Sequence, residues 1–188
     1  TLGWGKPSPD LGKLPMRIAV VCAYPVDFNP GMLSVDIALH QVLARSGITA
    51  EVQMFNFLAP VDFDAGRHGL PAISHRRLIH PNELEDFDHI VYWGDFLHSH
   101  RYLRHDLRVV ASEERRAAPG FHDDAMAALL LEGAPERLLG KVICFGGSLY
   151  INRPGDDADQ RYRSAIGRLF SNAKLVLMRD PVSAALAQ

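Results

Sequence analysis

Arg179 is the residue whose setting points most directly to chemistry. It follows the apolar run Leu175-Val176-Leu177-Met178 and precedes Asp180 and Pro181, and a proline there suits the first turn of a helix. The guanidinium therefore stands at a strand-to-helix junction, where its planar fork can grip a carboxylate or a phosphate with two parallel bonds. The same fork can clamp Asp180, and the two uses are compatible. Other junctions carry residues suited to the same kind of ligand. The loop 25–31 holds Asn29 and Gly31 just ahead of a helix, Gly94 and Asp95 end a second apolar run, and Gly146, Gly147 and Ser148 end a third. Glycines let a backbone approach a ligand, and the helix N-termini beside them favour negative charge. Glycines at strand ends also serve tight turns, so both readings stand.

Other reactive residue types are less telling. His98 and His100 invite a metal reading, but two residues apart on a helix they face different ways, and no further ligands follow at a recognisable spacing; no metal is expected. Cys22 and Cys144 lie in apolar runs and read as small buried hydrophobes with neither metal-site nor disulfide spacing. A helical face after Gly94 collects His100, Arg101, Arg104, His105 and Arg108. Residues 56–81 lack periodicity and contain His68, His75, Arg76, Arg77 and His80, which reads as a solvated basic loop or as a flap that closes on an acidic ligand. This stretch is expected to be among the most mobile of the chain. No Gly-x-Gly-x-x-Gly and no Walker sequence occurs, so both nucleotide fingerprints fail and no cofactor is called for.

The elements that must position these residues alternate. Strands are expected at 17–24, 49–55, 88–94, 141–147 and 173–178, most of them followed by amphipathic helices. The first is apolar almost throughout, as a strand buried on both faces is. The reading is α/β: a doubly wound, Rossmann-like parallel sheet of about five strands in the order 3-2-1-4-5, with the first strand central and helices on both faces. The strand at 49–55 is placed near an edge. Composition agrees with one soluble domain: 188 residues, 47% hydrophobic, 22% charged, net charge −2. That balance gives no support to nucleic-acid binding, and no apolar run reaches the roughly 20 residues of a membrane span. Residues 1–15 are rich in Gly and Pro and read as an arm, either a real extension or a remnant of cloning ahead of Met16; residues 16–188 form the domain. The expected location is cytoplasmic.

The ending LVLMRDPVSAAL resembles the polysaccharide pyruvyl transferase family, whose amino-terminal half closes on an apolar strand followed by Arg-Asp-x-x-Ser; here those residues are Arg179, Asp180 and Ser183. KVICFGGSLY is similar to the family's middle segment of Gly-Lys, apolar strand and glycines, and IVYWGDF resembles its Val-x-x-Gly-Gly strand end. Asn29 and Gly31 stand where the family has Asn-x-Gly-Asp, with Met32 in place of the acid. The resemblance implies one half of a GT-B-like pair of domains. It implies a transferase that moves a pyruvyl group from phosphoenolpyruvate to a saccharide acceptor of a cell-surface polysaccharide, the second half lying outside this sequence. Asn29, Gly31, Gly94, Asp95, Gly146, Gly147, Ser148, Arg179 and Ser183 become its ligand-binding candidates, with the catalytic residues unassigned. A glycosyltransferase half and a non-catalytic binding or assembly domain are the alternatives, and a homo-oligomer is left open.

Overall fold

A computed structural model of the chain describes residues 15–25, 30–64, 66, 72–94, 96–113, 119–149 and 159–187. Residues 1–14 of the expected arm, Asn29, His68 and Asp95 lie outside them. Seven strands form one sheet: β1 (Met16–Val21), β2 (Ala50–Asn56), β3 (Val61–Phe63), β4 (Ile73–Arg77), β5 (His89–Trp93), β6 (Val142–Gly147) and β7 (Leu175–Met178). Their order is β3-β4-β2-β1-β5-β6-β7, with every neighbouring pair parallel except β3 and β4. Ala19, Val20 and Val21 are fully buried, as their unbroken apolar run and the central place of β1 require.

The α/β class, the mostly parallel sheet and the central first strand are as expected, whereas the strand count and order are corrected. The five expected strands stand in the order 2-1-3-4-5, because a further parallel strand, β4, pairs with β2 and makes that strand internal. With β4 counted, the six parallel strands read 3-2-1-4-5-6, the order of doubly wound dinucleotide-binding sheets. β4 escapes an apolar-run reading because its sequence is Ile-Ser-His-Arg-Arg, and only Ile73 and His75 turn inward.

β4 also corrects the aperiodic reading of 56–81, of which residues 65 and 67–71 lie outside the described residues. Within 56–81 the backbone is hydrogen-bonded into the sheet at β3 and β4, and the turn after β2 is pinned by Asn56. Its Oδ1 accepts from the Leu58 and Ala59 amides at 2.9 Å each, and its Nδ2 donates to the Ala59 carbonyl at 2.6 Å. A 3-10 turn, Pro81–Leu84, follows, where Glu83 accepts from the amides of Ile79 and His80 at 2.8 Å. Polar side chains here serve turns and caps, which is why the composition looked like a loop.

Helix α1 (Pro30–Ser46) covers one face of the sheet, burying Leu33, Asp36 and Leu39 toward Ile18, Val20, Met54 and Ile73. The larger core lies on the other face. There a π-helical turn (Tyr102–Asp106) runs into α2 (Leu107–Glu113), followed by α3 (Phe121–Leu130), the short α4 (Glu136–Leu139) and α5 (Gln160–Asn172). Short α6 (Pro181–Leu186) follows β7. Coverage of the α1 face stops short of β6 and β7, where Phe145, Leu175 and Leu177 remain more than 40% exposed and Trp93 stacks on Phe145 at 4.9 Å. No helix among the described residues is long and apolar enough to cross a membrane.

Candidate functional site: the carboxyl edge of the sheet

All six parallel strands deliver their ends to one edge, and the order reverses between β1 and β5, so the crevice of a doubly wound sheet falls there. Gly94 ends β5 with φ +70, and its amide donates to the Phe145 carbonyl at 2.7 Å. Gly146 has φ +72, and a Cβ built on it would lie 3.7 Å from the Gly94 Cα. Both glycines therefore meet a backbone demand whether or not a ligand approaches. Gly147 closes β6 at an irregular register, and its carbonyl accepts from the Arg179 amide at 2.9 Å. Gly31 lies exposed in the first turn of α1. An apolar cavity of about 220 Å³ sits beside this point, lined by Tyr24, Met32, Leu58, Phe96, Tyr102, Asp106, Leu107 and Val110. Met32, which stands in place of an acid, contributes to that apolar wall.

The Arg-Asp-x-x-Ser stretch divides into two jobs. Asp180 is the N-cap of α6: its Oδ1 accepts from the Ser183 amide and its Oδ2 from the Ser183 hydroxyl, both at 2.8 Å. These bonds hold the Asp180 carboxyl below the ordinary carboxylate range. Ser183 and Ser148 are buried, their hydroxyls 3.3 Å apart, and the Ser183 Oγ also accepts from the Leu149 amide at 2.8 Å. Asp-x-x-Ser at a helix start is a capping pattern, and here it ties β6 to α6. Arg179 is exposed, and among the described residues its guanidinium has no ion pair or hydrogen bond; Asp180 is not its partner. The expected consequence is a split between neighbours. Ser183→Ala, which strands the buried Leu149 amide, should cost about 2 kcal/mol in urea unfolding, while Arg179→Ala should stay within about 0.5 kcal/mol.

The most strongly polar arrangement lies one layer away and joins residues far apart in sequence. Asp159 is the N-cap of α5, its Oδ1 accepting from the Tyr162 amide at 3.1 Å. Its Oδ2 meets His100 Nε2 at 3.1 Å and Arg104 Nε at 3.0 Å. Burial alone would raise this carboxyl, but the bonds from Tyr162, Arg104 and His100 outweigh burial and hold it well below the usual range. Arg161, in the first turn of α5, pairs with Asp123 in the first turn of α3 and with Glu132 just past the end of that helix, so the start of α5 lies against α3. α5 starts where β6 delivers its chain, which puts both helix starts on the carboxyl side of the sheet.

Next to them opens a cavity of about 500 Å³ lined by Leu103, Arg104, Arg108, Pro119, Gly120, Phe121, His122 and Asp123. Among the described residues its charges do not balance. Arg104 is matched by Asp159 and Asp123 by Arg161, but Arg108 has no partner among the described residues. Gly120, left-handed at φ 81, is the N-cap of α3 and offers no side-chain acceptor to the amides of the first turn. Both ring nitrogens of His122 are buried without a well-aligned hydrogen bond, and burial together with the fields of Arg104 and Arg161 outweighs a weak contact with the Leu103 backbone and the charge of Asp123, pushing the imidazole down from the ordinary value of 6.5. The Arg108 guanidinium and a helix start without a side-chain cap make this cavity complementary to an anion.

Sequence reading had grouped His100, Arg104 and Arg108 on one helical face but missed their organisers, Asp159 and His122. A capping Asp ahead of an amphipathic helix was the available signal for the first. His98 turns away from His100 and into the core, against Tyr92 and Phe170. Cys144 is buried, and its thiol is pushed up to about 12, which leaves it unreactive.

Fold and edge together define a doubly wound, Rossmann-like α/β domain with a basic cavity beside its carboxyl edge. The chain matches no protein-family model, no curated protein and no solved structure.

Proposed function

We propose that the domain binds a small dianionic or trianionic metabolite of the phosphoenolpyruvate kind, as the amino-terminal, GT-B-like half of a pyruvyl transferase-like enzyme whose acceptor is a saccharide. The observation that carries the binding reading is the cavity holding Arg108, His122 and the start of α3 without a side-chain cap, with an excess of positive charge among the described residues. Two features support the transferase reading: the edge that gathers Gly94, Gly146, Gly147 and Arg179, and the resemblance in Arg179, Asp180 and Ser183. Phosphoenolpyruvate carries a phosphate and a carboxylate, and two fork-shaped donors suit such a molecule better than a single lysine would.

Calorimetric titration of the chain with phosphoenolpyruvate, inorganic phosphate and a nucleotide-sugar tests this. Arg108→Gln should weaken phosphoenolpyruvate binding by about ten- to a hundredfold, the loss of roughly 1.5 to 3 kcal/mol of charge-assisted hydrogen bonding, without altering the melting temperature. The pH dependence has a definite sign. Burial, reinforced by the guanidinium fields of Arg104 and Arg161, keeps His122 neutral; a bound anion offsets part of that penalty, so binding takes up a proton and affinity should rise as pH falls. Preference for the nucleotide-sugar would point to a glycosyltransferase half, and no binding of any of the three would refute the reading.

A further inference from the structure

We propose that Cys22, Asp36 and His75 form a binding site for one zinc-type divalent cation between α1 and the sheet. Cys22 follows β1 directly, Asp36 lies in the second turn of α1 and His75 is in the middle of β4. One ligand atom from each lies within 4.8 Å of the other two. All three residues are at least 97% buried, at 2%, 3% and 1% exposure.

A second observation points to a shared ligand. His75 Nε2 and Asp36 Oδ2 are 3.1 Å apart, yet neither forms a hydrogen bond with the other or with any described residue. Two buried polar atoms that approach so closely without addressing each other are placed as ligands of a common centre are. With zinc bonds to nitrogen and oxygen of about 2.0 to 2.2 Å at a tetrahedral angle, neighbouring ligand atoms come about 3.3 Å apart. Charge argues the same way. A carboxylate as buried as that of Asp36 is costly unless a positive charge compensates it. A dication with one thiolate, one carboxylate and a neutral imidazole brings the cluster to zero. The mixture of sulfur, nitrogen and oxygen selects zinc-like ions over magnesium or calcium.

The surroundings set the proton bookkeeping. Asn56 Nδ2 lies 3.4 Å from His75 Nδ1, and the Asn56 amide cannot turn over without losing the Leu58 and Ala59 bonds. Without metal, Nδ1 is thus the acceptor and Nε2 carries the proton. Metal at Nε2 moves that proton to Nδ1, which gives up the Asn56 contact and sets a cost the metal bonds must exceed, and it releases a second proton from the Cys22 thiol, so affinity rises with pH. The site shares no residue with the anion cavity, and each can fail without the other.

The test uses the chain stripped on a chelating resin and reloaded with cobalt(II). One equivalent per chain should bind, with a near-ultraviolet thiolate-to-cobalt charge-transfer band that Cys22→Ser removes and Cys144→Ser leaves intact. Asp36→Asn and His75→Gln should weaken binding by more than about a hundredfold, the upper end of what losing an outer partner costs. If Cys22→Ser does not fold, the band in wild type and in Cys144→Ser decides alone, because the chain has only two cysteines. No bound equivalent, binding without the band, or a band that survives Cys22→Ser would each overturn the proposal in favour of a metal-free Asp36 and His75 pair.

Discussion

Acidification from pH 6.5 toward 3 should strip this domain of about 3 to 5 kcal/mol of stability through His98 alone, and His98→Phe should abolish that loss. The imidazole lies between Tyr92, at 4.7 Å between ring centres, and Phe170, at 5.6 Å, with its Nε2 buried and unpaired among the described residues. Burial pushes it down to about 3. In the unfolded chain the same group takes up its proton near 6.5, so between those values the unfolded state binds more protons than the folded one. Stability is therefore complete above pH 6.5 and declines as pH falls, by up to about 1.4 kcal/mol per unit until the folded value is reached. Domains of this kind have only about 5 to 15 kcal/mol in total. His89 and His122, also lowered chiefly by burial, add losses of the same sign. Phenylalanine keeps the aromatic contacts and removes the proton site. Urea unfolding of wild type and His98→Phe across this range should give curves that converge near pH 7 and separate below 6. Parallel curves would mean that acid acts elsewhere.

What sequence reading could see follows from what each residue spends its side chain on. β1 stands out because Ile18 to Val21 are buried on both faces, and β5 and β6 because their sequences are apolar from Ile90 and from Val142 onward, although Phe145 of β6 is half exposed. β4 has one inward pair, and one member of it is His75, a residue whose burial becomes intelligible only beside Asp36 and Asn56 from other elements. The candidate sites show the same contrast. Glycines at strand ends are visible as local punctuation, and the structure puts Gly94, Gly146 and Gly147 on one edge. Asp159 cannot be matched to His100 and Arg104 by any helical or strand period, because the contact runs between the starts of two helices separated by β6. Cys22, Asp36 and His75 likewise come from the end of one strand, a helix and another strand. Patterns within one element are written in its period, whereas sites between elements depend on topology, and here a missing strand had changed the topology.

Gly94→Ala should destabilise the domain by about 2 to 4 kcal/mol, and the loss should have two separable parts. The first is the backbone: with φ at +70 an added Cβ crowds the following carbonyl, which costs about 1 to 2 kcal/mol in an L-residue. The second is packing. The new methyl would lie 3.0 Å from Val35 Cγ1, closer than carbon atoms tolerate, and α1 cannot simply back away. Trp93 Nε1 donates to the Val35 carbonyl at 2.8 Å and holds that turn of the helix against the end of β5. Forcing an extra methyl into such a contact typically costs a further 1 to 3 kcal/mol. Val35→Ala removes the opposing methyl, so in the double variant the steric part should vanish while the backbone part stays, leaving a coupling of about 1 to 2 kcal/mol in a double-mutant cycle. Melting and urea curves of the two single variants and the double measure it. If Gly94 existed only to let a ligand near the strand end, Gly94→Ala would instead fold with wild-type stability and lose affinity for phosphoenolpyruvate. The geometry sets the opposite order of effects: stability falls first, because β5, the helix start and the edge between β1 and β5 are held in place by the absence of this one side chain.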